Sequence, residues 1–92
     1  MDRPTVSVIM NCLNGARYLA AALDSVYAQT FPDWEIIFWD DGSTDFSAAL
    51  ARSYGAKLRY FRGPGNTPLG QARNLAFQQS EGRYLAILDV DD

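Results

Sequence analysis

Two groups of carboxylates stand out in this 92-residue chain, Asp40 with Asp41 and Asp89 with Asp91 and Asp92, each directly after a run of apolar residues. Carboxylate oxygens suit hard divalent cations, and such cations usually recruit the phosphates of a substrate. On an extended segment Asp89 and Asp91 face the same side, so both can bind one ion or its water shell. The spacing therefore predicts a divalent-metal site that also holds a phosphorylated ligand.

The first acidic group has a second interpretation, because Asp40, Asp41, Gly42 and Ser43 could form an ordinary turn in which Asp40 or Asp45 caps a helix. Adjacent carboxylates repel each other unless a cation, a hydrogen-bond donor or water compensates them, and successive strand residues point to opposite faces. We therefore expect one carboxylate of the pair to contact ligand, and Asp41 is the one nearer the loop. Both interpretations stay open at this stage.

Among the basic residues, Arg73 could bind a phosphate or could form a structural ion pair with the nearby acids, whereas Arg62 is predicted to lie on the surface. The chain contains neither a Gly-x-Gly-x-x-Gly sequence after its first apolar run nor a Gly-Lys-Ser/Thr sequence. The dinucleotide fingerprint and the phosphate-binding P-loop are therefore both absent. Any diphosphate must be held mainly through the metal.

The composition is that of a soluble globular domain, with 48 % apolar residues and a net charge of −3. Its basic residues are scattered singly, which disfavours nucleic acid or an anionic membrane surface as the partner. Cys12 is the only cysteine and histidine is absent, so an internal disulfide and a thiol-based zinc site are both excluded. We expect a cytoplasmic setting, because no export leader or membrane-spanning apolar run is present; a larger protein that contains this chain could still associate with a membrane.

Strand-like and helix-like patterns alternate along the chain. Short apolar, β-branched runs predict strands at residues 6–10, 34–39, 57–61 and 84–88, and helical spacing predicts helices at 16–28, 46–54 and 68–80. Asn14 is the predicted N-cap of the first helix. For the third helix, Thr67 is the predicted N-cap and Pro68 the first helical residue.

This order predicts an α/β fold: a three-layer, Rossmann-like open parallel sheet with right-handed crossovers. The Gly-rich connection before the third helix is where the winding should reverse, which gives strand order 3-2-1-4. The strand ends that carry Asn11, Asp41 and Asp91 would then lie side by side. Ligands of such sheets bind at the carboxyl ends of the strands, where the strand order reverses.

Four segments carry a resemblance to a known family, in its order and with its approximate spacing: residues 6–14, 34–45, 72–74 and 88–92. Together they resemble the nucleotide-binding half of family 2 glycosyltransferases with the GT-A fold, over nearly the whole chain. The resemblance implies a transferase that uses a nucleotide-diphosphate sugar. Residues 1–92 would then form the donor half of a truncated GT-A domain, without its acceptor half.

The resemblance also implies roles for individual residues. Asp41 would face the nucleotide base, and Asn11 and Leu13 would line that pocket. We add Arg73, which lies in the third of the four segments, as a further candidate for binding the nucleotide. Asp89 would lie toward the ribose and the metal, and Asp91 would bind the Mn²⁺ or Mg²⁺ that bridges the diphosphate. The family usually has a small hydroxyl residue or proline and then an aromatic residue where this chain has Asn11, Cys12 and Leu13. The base therefore stays open, with a UDP-sugar favoured.

In this family, transfer usually inverts the anomeric centre, and a carboxylate downstream of the metal motif acts as general base. We therefore expect no catalytic residue within this chain, the general base lying beyond Asp92. The isolated chain would be inactive or weakly active, and the acceptor, a saccharide or a lipid-linked group, is not identified by the resemblance.

Two other classes of protein compete with this interpretation. A receiver-type phosphoacceptor domain also gathers Asp residues and Mg²⁺ at strand ends, but it should carry a paired acid after its first strand and a lysine after a late strand. The chain could also be a non-catalytic nucleotide- or metal-binding module. As the donor half of a larger domain, the chain would have a fourth strand without a neighbour, and an exposed apolar edge at residues 84–88 would favour self-association.

Overall fold

Strands and helices alternate in a computed structural model that describes residues 4–29, 32–63, 65 and 69–88. The elements are β1 (Val6–Cys12), α1 (Ala16–Tyr27), β2 (Trp34–Asp40), α2 (Ser47–Arg52), β3 (Leu58–Arg62), α3 (Leu69–Gln79) and β4 (Tyr84–Ile87). All seven predicted elements are confirmed, with ends that shift by at most two residues. The predicted helix start at Thr67 and Pro68 lies outside the described residues. In the described part of the chain, no helix is both long and apolar enough to cross a membrane.

The strands form one parallel sheet in the order β3-β2-β1-β4, which confirms the predicted order 3-2-1-4. The register pairs Cys12 with Asp40 and Asp40 with Arg62. Three strands therefore end at nearly the same level, and their carboxyl ends form one edge of the sheet.

Helices cover both faces of the sheet, as the three-layer prediction requires. On one face, α1 and α2 pack on a core that includes Met10, Leu19, Leu23, Ile36 and Phe38. On the other face, α3 packs on a smaller core of Ile9, Ile37, Trp39, Ala72 and Ala76. The helix residues in this second core are alanines, which let the α3 backbone approach the sheet. Every residue of β2 is buried, as expected for an inner strand of a parallel sheet.

A buried polar network ties the loop before β4 to the sheet. Glu35 accepts a 2.6 Å hydrogen bond from the Ser7 hydroxyl and a 2.8 Å bond from the Glu81 N–H, and it pairs with Arg59 at 3.2 Å. The Gly82 N–H donates to the Ser7 hydroxyl oxygen at 2.8 Å. Because buried polar groups need partners, this network fixes where the chain enters β4.

Gly82 has no room for a side chain, so Gly82→Ala should lower the free energy of unfolding by about 1–3 kcal/mol. A Cβ atom there would lie 2.5 Å from the Ser7 Oγ and 2.6 Å from the Ser7 N. The control is Gly70→Ala in α3, where a Cβ meets no atom within 4 Å and stability should rise by up to about 1 kcal/mol. Urea unfolding of the two variants tests this; equal midpoints would contradict the steric argument.

The β4 strand is exposed, as predicted for an edge. Tyr84, Leu85 and Ile87 are 60 %, 50 % and 51 % exposed. The Tyr84 N–H donates to the Thr5 carbonyl, just before β1, and the Leu88 N–H donates to the Ile9 carbonyl in β1. Because alternate residues of a parallel strand bond to a given neighbour, the backbone groups of Leu85 and Ile87 point away from β1, toward the outer edge.

Candidate functional site

The predicted base-binding residues lie at the carboxyl edge of the sheet. Asn11 is the next-to-last residue of β1 and is half-buried, and Leu13 is exposed in the loop that follows β1. Asp41 directly follows β2, with 8 % of its surface exposed. The Asp41 N–H donates to the Cys12 carbonyl at 3.0 Å, which extends the β1–β2 pairing by one residue. The structure therefore brings Asn11, Leu13 and Asp41 to one edge of adjacent strands.

The remaining predicted site residues come from α3 and from the end of the chain. Arg73 is half-buried in the second turn of α3, the helix that packs on β1 and β2. Asp89 and Asp91, the predicted metal ligands, lie outside the described residues. Within the described ranges, no group of three or more histidine, cysteine or acidic side chains could hold a metal ion.

Asp40 and Asp41 have different environments. Asp40 is fully buried: its Oδ1 accepts the Ser43 N–H at 2.8 Å, and its Oδ2 accepts the Tyr60 hydroxyl at 2.5 Å and the Arg62 guanidinium at 3.2 Å. Burial by itself would raise the pKa of Asp40, but the hydrogen bonds from Tyr60 and Ser43 and the charge of Arg62 together lower that pKa below its ordinary value. Asp40 thus forms the predicted turn, and Asp41 is the acid of the pair that lies beyond the strand.

Two glycines shape the loop around Asp41. Gly42 and Gly65 have φ angles of +95° and +97°, a region that favours glycine. A Cβ on Gly42 would lie 3.1 Å from the Cα of Gly65, so the loop after β2 closely approaches the segment after β3. Asp41 is therefore carried by a backbone that few other sequences could adopt.

Asn14 joins the loop after β1 to the loop after β2. Its φ is +53°, and its side-chain oxygen accepts the N–H groups of Thr44 at 2.8 Å and Asp45 at 3.3 Å. Its own N–H donates to the Ser43 hydroxyl oxygen at 2.8 Å. The prediction that Asn14 caps α1 is wrong, because its side chain binds the neighbouring loop; the N-cap residue is Gly15, which makes no side-chain cap.

The first N–H groups of α1 are instead satisfied by side chains from the loop after β2. Gly15 donates to the Ser47 Oγ and Ala16 donates to the Asp45 Oδ2, both at 3.1 Å. Helix N-termini are ready-made phosphate sites, but here a carboxylate already occupies the position. The start of α1 is therefore unsuitable for a diphosphate, in agreement with the missing dinucleotide fingerprint.

Asn11 and Trp39 place unused polar atoms inside the α3 side of the sheet. The two residues are partners in the β1–β2 register. The Asn11 amide nitrogen and oxygen and the Trp39 Nε1 are shielded from solvent, and none of the three atoms has a hydrogen-bond partner among the described residues. Gly63 packs against the Trp39 indole, since a Cβ on Gly63 would lie 2.7 Å from Nε1. Unmade hydrogen bonds of buried groups cost about 1–3 kcal/mol each, so a ligand or water partner would stabilise this region.

Sequence reasoning missed the contribution of β3 to this edge. Arg62, predicted to be a surface residue, is about half exposed, yet it bonds both to buried Asp40 and to the Ser43 carbonyl. The alternation of Leu58, Tyr60 and Arg62 puts all three side chains on one face of β3, but only the register shows that this face meets Asp40. Cys12 is buried as predicted, and burial raises the pKa of its thiol.

Comparison with known proteins gives the chain a family. The family model for glycosyl transferase family 2 matches residues 7–92. The chain is 42 % identical over 89 residues to RT0329, an uncharacterized glycosyltransferase of Rickettsia typhi, covering 97 % of this chain and 28 % of that protein. It is 36 % identical over 93 residues to TuaG of Bacillus subtilis, a putative teichuronic acid biosynthesis glycosyltransferase, covering 98 % of this chain and 37 % of that protein.

Solved structures agree with this match. A crystal structure of S. aureus TarS in complex with UDP-GlcNAc superposes with a TM-score of 0.89 and 32 % identity, covering 95 % of this chain and 26 % of that chain. The mannosyltransferase PcManGT from Pyrobaculum calidifontis, in complex with GDP-Man and Mn²⁺, superposes with a TM-score of 0.87 and 26 % sequence identity, covering 99 % of this chain and 28 % of that chain.

The predicted architecture and the predicted family are thus both confirmed, and the receiver-type alternative is not favoured. The chain spans 13 % of the length of one uncharacterized Rickettsia glycosyltransferase and 38 % of one from Haemophilus influenzae, so it covers only part of these curated relatives. With a GT-A sheet and a family match over nearly its whole length, the chain belongs to glycosyltransferase family 2.

Proposed function

We propose that this chain is the donor-binding half of an enzyme that transfers a sugar from a nucleotide-diphosphate sugar to an acceptor, with inversion and with help from a divalent cation. The observation that carries the proposal is the position of Asn11 and Asp41 at the carboxyl ends of the adjacent strands β1 and β2, in a chain of this family. Open α/β sheets bind their ligands at this edge. The complexes of TarS with UDP-GlcNAc and of PcManGT with GDP-Man support the donor class.

In this proposal Asp41 accepts an N–H of the base, and Asn11 and Leu13 line the base pocket. The Asn11 amide offers a donor and an acceptor that have no partner among the described residues, which suits the edge of a base. Arg73 contributes a positive charge toward the nucleotide. We favour a UDP-sugar as the donor.

The proposed metal ligands are Asp91 and, toward the ribose, Asp89. Their carboxylate oxygens suit Mn²⁺ or Mg²⁺, and the Mn²⁺ in the PcManGT complex supports a divalent ion. A bound cation would stabilise negative charge on the departing diphosphate. The general base, and with it the acceptor site for a saccharide or a lipid-linked group, would lie beyond Asp92, and the 92 residues alone would be inactive or weakly active.

Calorimetric titration of the folded chain with UDP, with and without Mn²⁺, tests the proposal, with GDP as the competing nucleotide. We expect Mn²⁺-dependent binding of UDP that weakens by about tenfold or more in Asp91→Asn, because a metal ligand is lost. The matched control is Asp92→Asn, which makes the same charge change one residue away and should bind like the wild type. A folded wild-type chain that binds neither nucleotide with Mn²⁺ would contradict the proposal, as would equal losses in both variants.

A non-catalytic nucleotide- or metal-binding module is the second candidate. Hydrolysis of a UDP-sugar above background, abolished by Asp91→Asn, would argue against it. Binding of UDP without any turnover, in a longer chain that includes the acceptor half, would support it instead.

Self-association through β4 stays a prediction that the exposed edge supports. Two copies could pair their β4 edges in antiparallel fashion about a two-fold axis. The outward N–H and carbonyl groups of Leu85 and Ile87 in one copy would then bond to the outward carbonyl and N–H groups of the other copy. Sedimentation should show a concentration-dependent dimer that Leu85→Lys disrupts. The control, Phe46→Lys, changes a residue that is 80 % exposed away from this edge and should leave the dimer intact. A monomer at all concentrations would refute self-association.

A further inference from the structure

We infer that Tyr60 and Arg62 are positioning residues of the proposed nucleotide site: through buried Asp40 they hold the loop at residues 41–43 in the conformation that presents Asp41. This inference rests on the proposed function for the role of Asp41. The contacts that carry it are made by β2, by β3 and by the loop that joins β2 to α2.

The loop is held at both ends of a very short segment. Asp41 and Gly42 are the two residues between Asp40 and Ser43, and the 2.8 Å bond from the Ser43 N–H to the Asp40 Oδ1 closes that segment into a turn. The Arg62 guanidinium then spans the turn, with one nitrogen 3.2 Å from the Asp40 Oδ2 and the other 3.1 Å from the Ser43 carbonyl oxygen. With Asp40 and Ser43 both fixed, the direction of the Asp41 side chain is restricted.

Tyr60 keeps the Asp40 carboxylate in place for this contact. Its hydroxyl donates to the Asp40 Oδ2 at 2.5 Å. Its ring stacks on Phe38 with the ring centroids 5.8 Å apart, and the Arg52 guanidinium lies 4.5 Å from the ring centroid. The aromatic ring is thus held by neighbours from β2 and α2, and the hydroxyl it presents to Asp40 has little freedom.

The same turn also controls the loop after β1. The Ser43 hydroxyl oxygen accepts the Asn14 N–H at 2.8 Å, and the Asn14 side chain accepts the Thr44 N–H at 2.8 Å. Leu13 precedes Asn14, so both proposed base-binding loops depend on the position of Ser43. Tyr60 and Arg62 on β3 therefore act on both loops, through Asp40 and Ser43.

Arg62→Gln and Tyr60→Phe test the inference, with Arg59→Gln as the matched control on the same strand. Arg59 makes an ion pair with Glu35 of the same 3.2 Å length as the pair between Arg62 and Asp40, but on the other face of β3. Three quantities are measured: unfolding by urea, amide hydrogen exchange at residues 41–45, and calorimetric affinity for UDP with Mn²⁺.

We expect Arg62→Gln and Tyr60→Phe to speed exchange of the Ser43 amide by about tenfold and to weaken UDP binding by a similar factor, because loop order is lost locally. Exchange at residues 8–10 of β1 should not change. Arg62→Lys keeps the charge but not the two-point contact, so it should restore the affinity only in part. Arg59→Gln should alter stability without altering UDP affinity beyond what the change in the folded fraction explains.

Two results would overturn the inference: unchanged exchange of Ser43 in both variants, or a loss of UDP affinity in Arg59→Gln as large as in Arg62→Gln. If the wild-type chain binds no nucleotide, the proposed function fails, and the exchange of Ser43 still decides whether Tyr60 and Arg62 order the loop. The two failures are thereby distinguishable.

Discussion

Replacing Asp40 by alanine should lower the free energy of unfolding by about 2–4 kcal/mol, a large share of the stability of a chain this short. The substitution removes the acceptor of three hydrogen bonds, from Ser43, Tyr60 and Arg62, at a fully buried position. Arg62 can turn to water, whereas the Ser43 N–H and the Tyr60 hydroxyl lose partners in a packed region. Urea unfolding followed by circular dichroism measures the loss.

The pH dependence of stability provides a second measurement on Asp40. Its pKa is lower in the folded chain than its ordinary value, so the folded state binds this proton less readily than the unfolded state does. The contribution of Asp40 is therefore fully present above the pKa of an unfolded aspartate, about 4, and is lost as the pH falls through the lower folded value. Asp40→Asn should flatten the acid side of the stability profile; an unchanged slope would contradict the assignment of Asp40 as a buried ion.

Replacing Asp41 by alanine should weaken UDP binding by about 100-fold, the size of effect expected when a site loses the polar group that pairs with its ligand. We expect a smaller loss of stability than in Asp40→Ala, because Asp41 lies beyond the end of β2. Calorimetric titration with UDP and Mn²⁺ measures the affinity, and urea unfolding measures the stability.

The control for Asp41 is Asp33→Ala, which removes the same charge at the amino end of β2. Its side chain accepts the Thr5 hydroxyl far from the proposed base pocket, so its loss should leave UDP affinity at the wild-type level. Equal affinities for UDP in Asp41→Ala and Asp33→Ala would mean that Asp41 does not recognise the base. Together with Asp40→Ala, the three variants separate a carboxylate that supports the fold from one that binds ligand.

Apolar patterning alone was sufficient to predict the seven elements and the strand order. The mostly apolar runs at residues 6–10 and 34–39 are typical of inner strands, and the Gly-rich segment before α3 is where the winding reverses. These are local properties of the chain, and right-handed crossovers allow few alternatives. The four family-like segments also sufficed to identify the family, which the match over residues 7–92 confirms.

The roles of neighbouring polar residues could not be predicted in the same way. The sequence favoured Asp41 as the ligand contact because it lies nearer the loop, but only the β2–β3 register, which sets Asp40 opposite Arg62, shows what holds Asp40. Asn14 precedes a helix in sequence, but its side chain binds the loop after β2, a partner 30 residues away.

The sequence by itself determined the order of strands and helices, the edge of the sheet at which polar residues gather, and the family of the chain. Tertiary structure alone decided which groups hold the buried Asp40 carboxylate, why Arg62 is not simply a surface residue, and how β3 supports the loops after β1 and β2. The physical reason is the range of the interactions: hydrophobic periodicity repeats every few residues, whereas a hydrogen bond across the sheet depends on the register of strands that are distant in the chain.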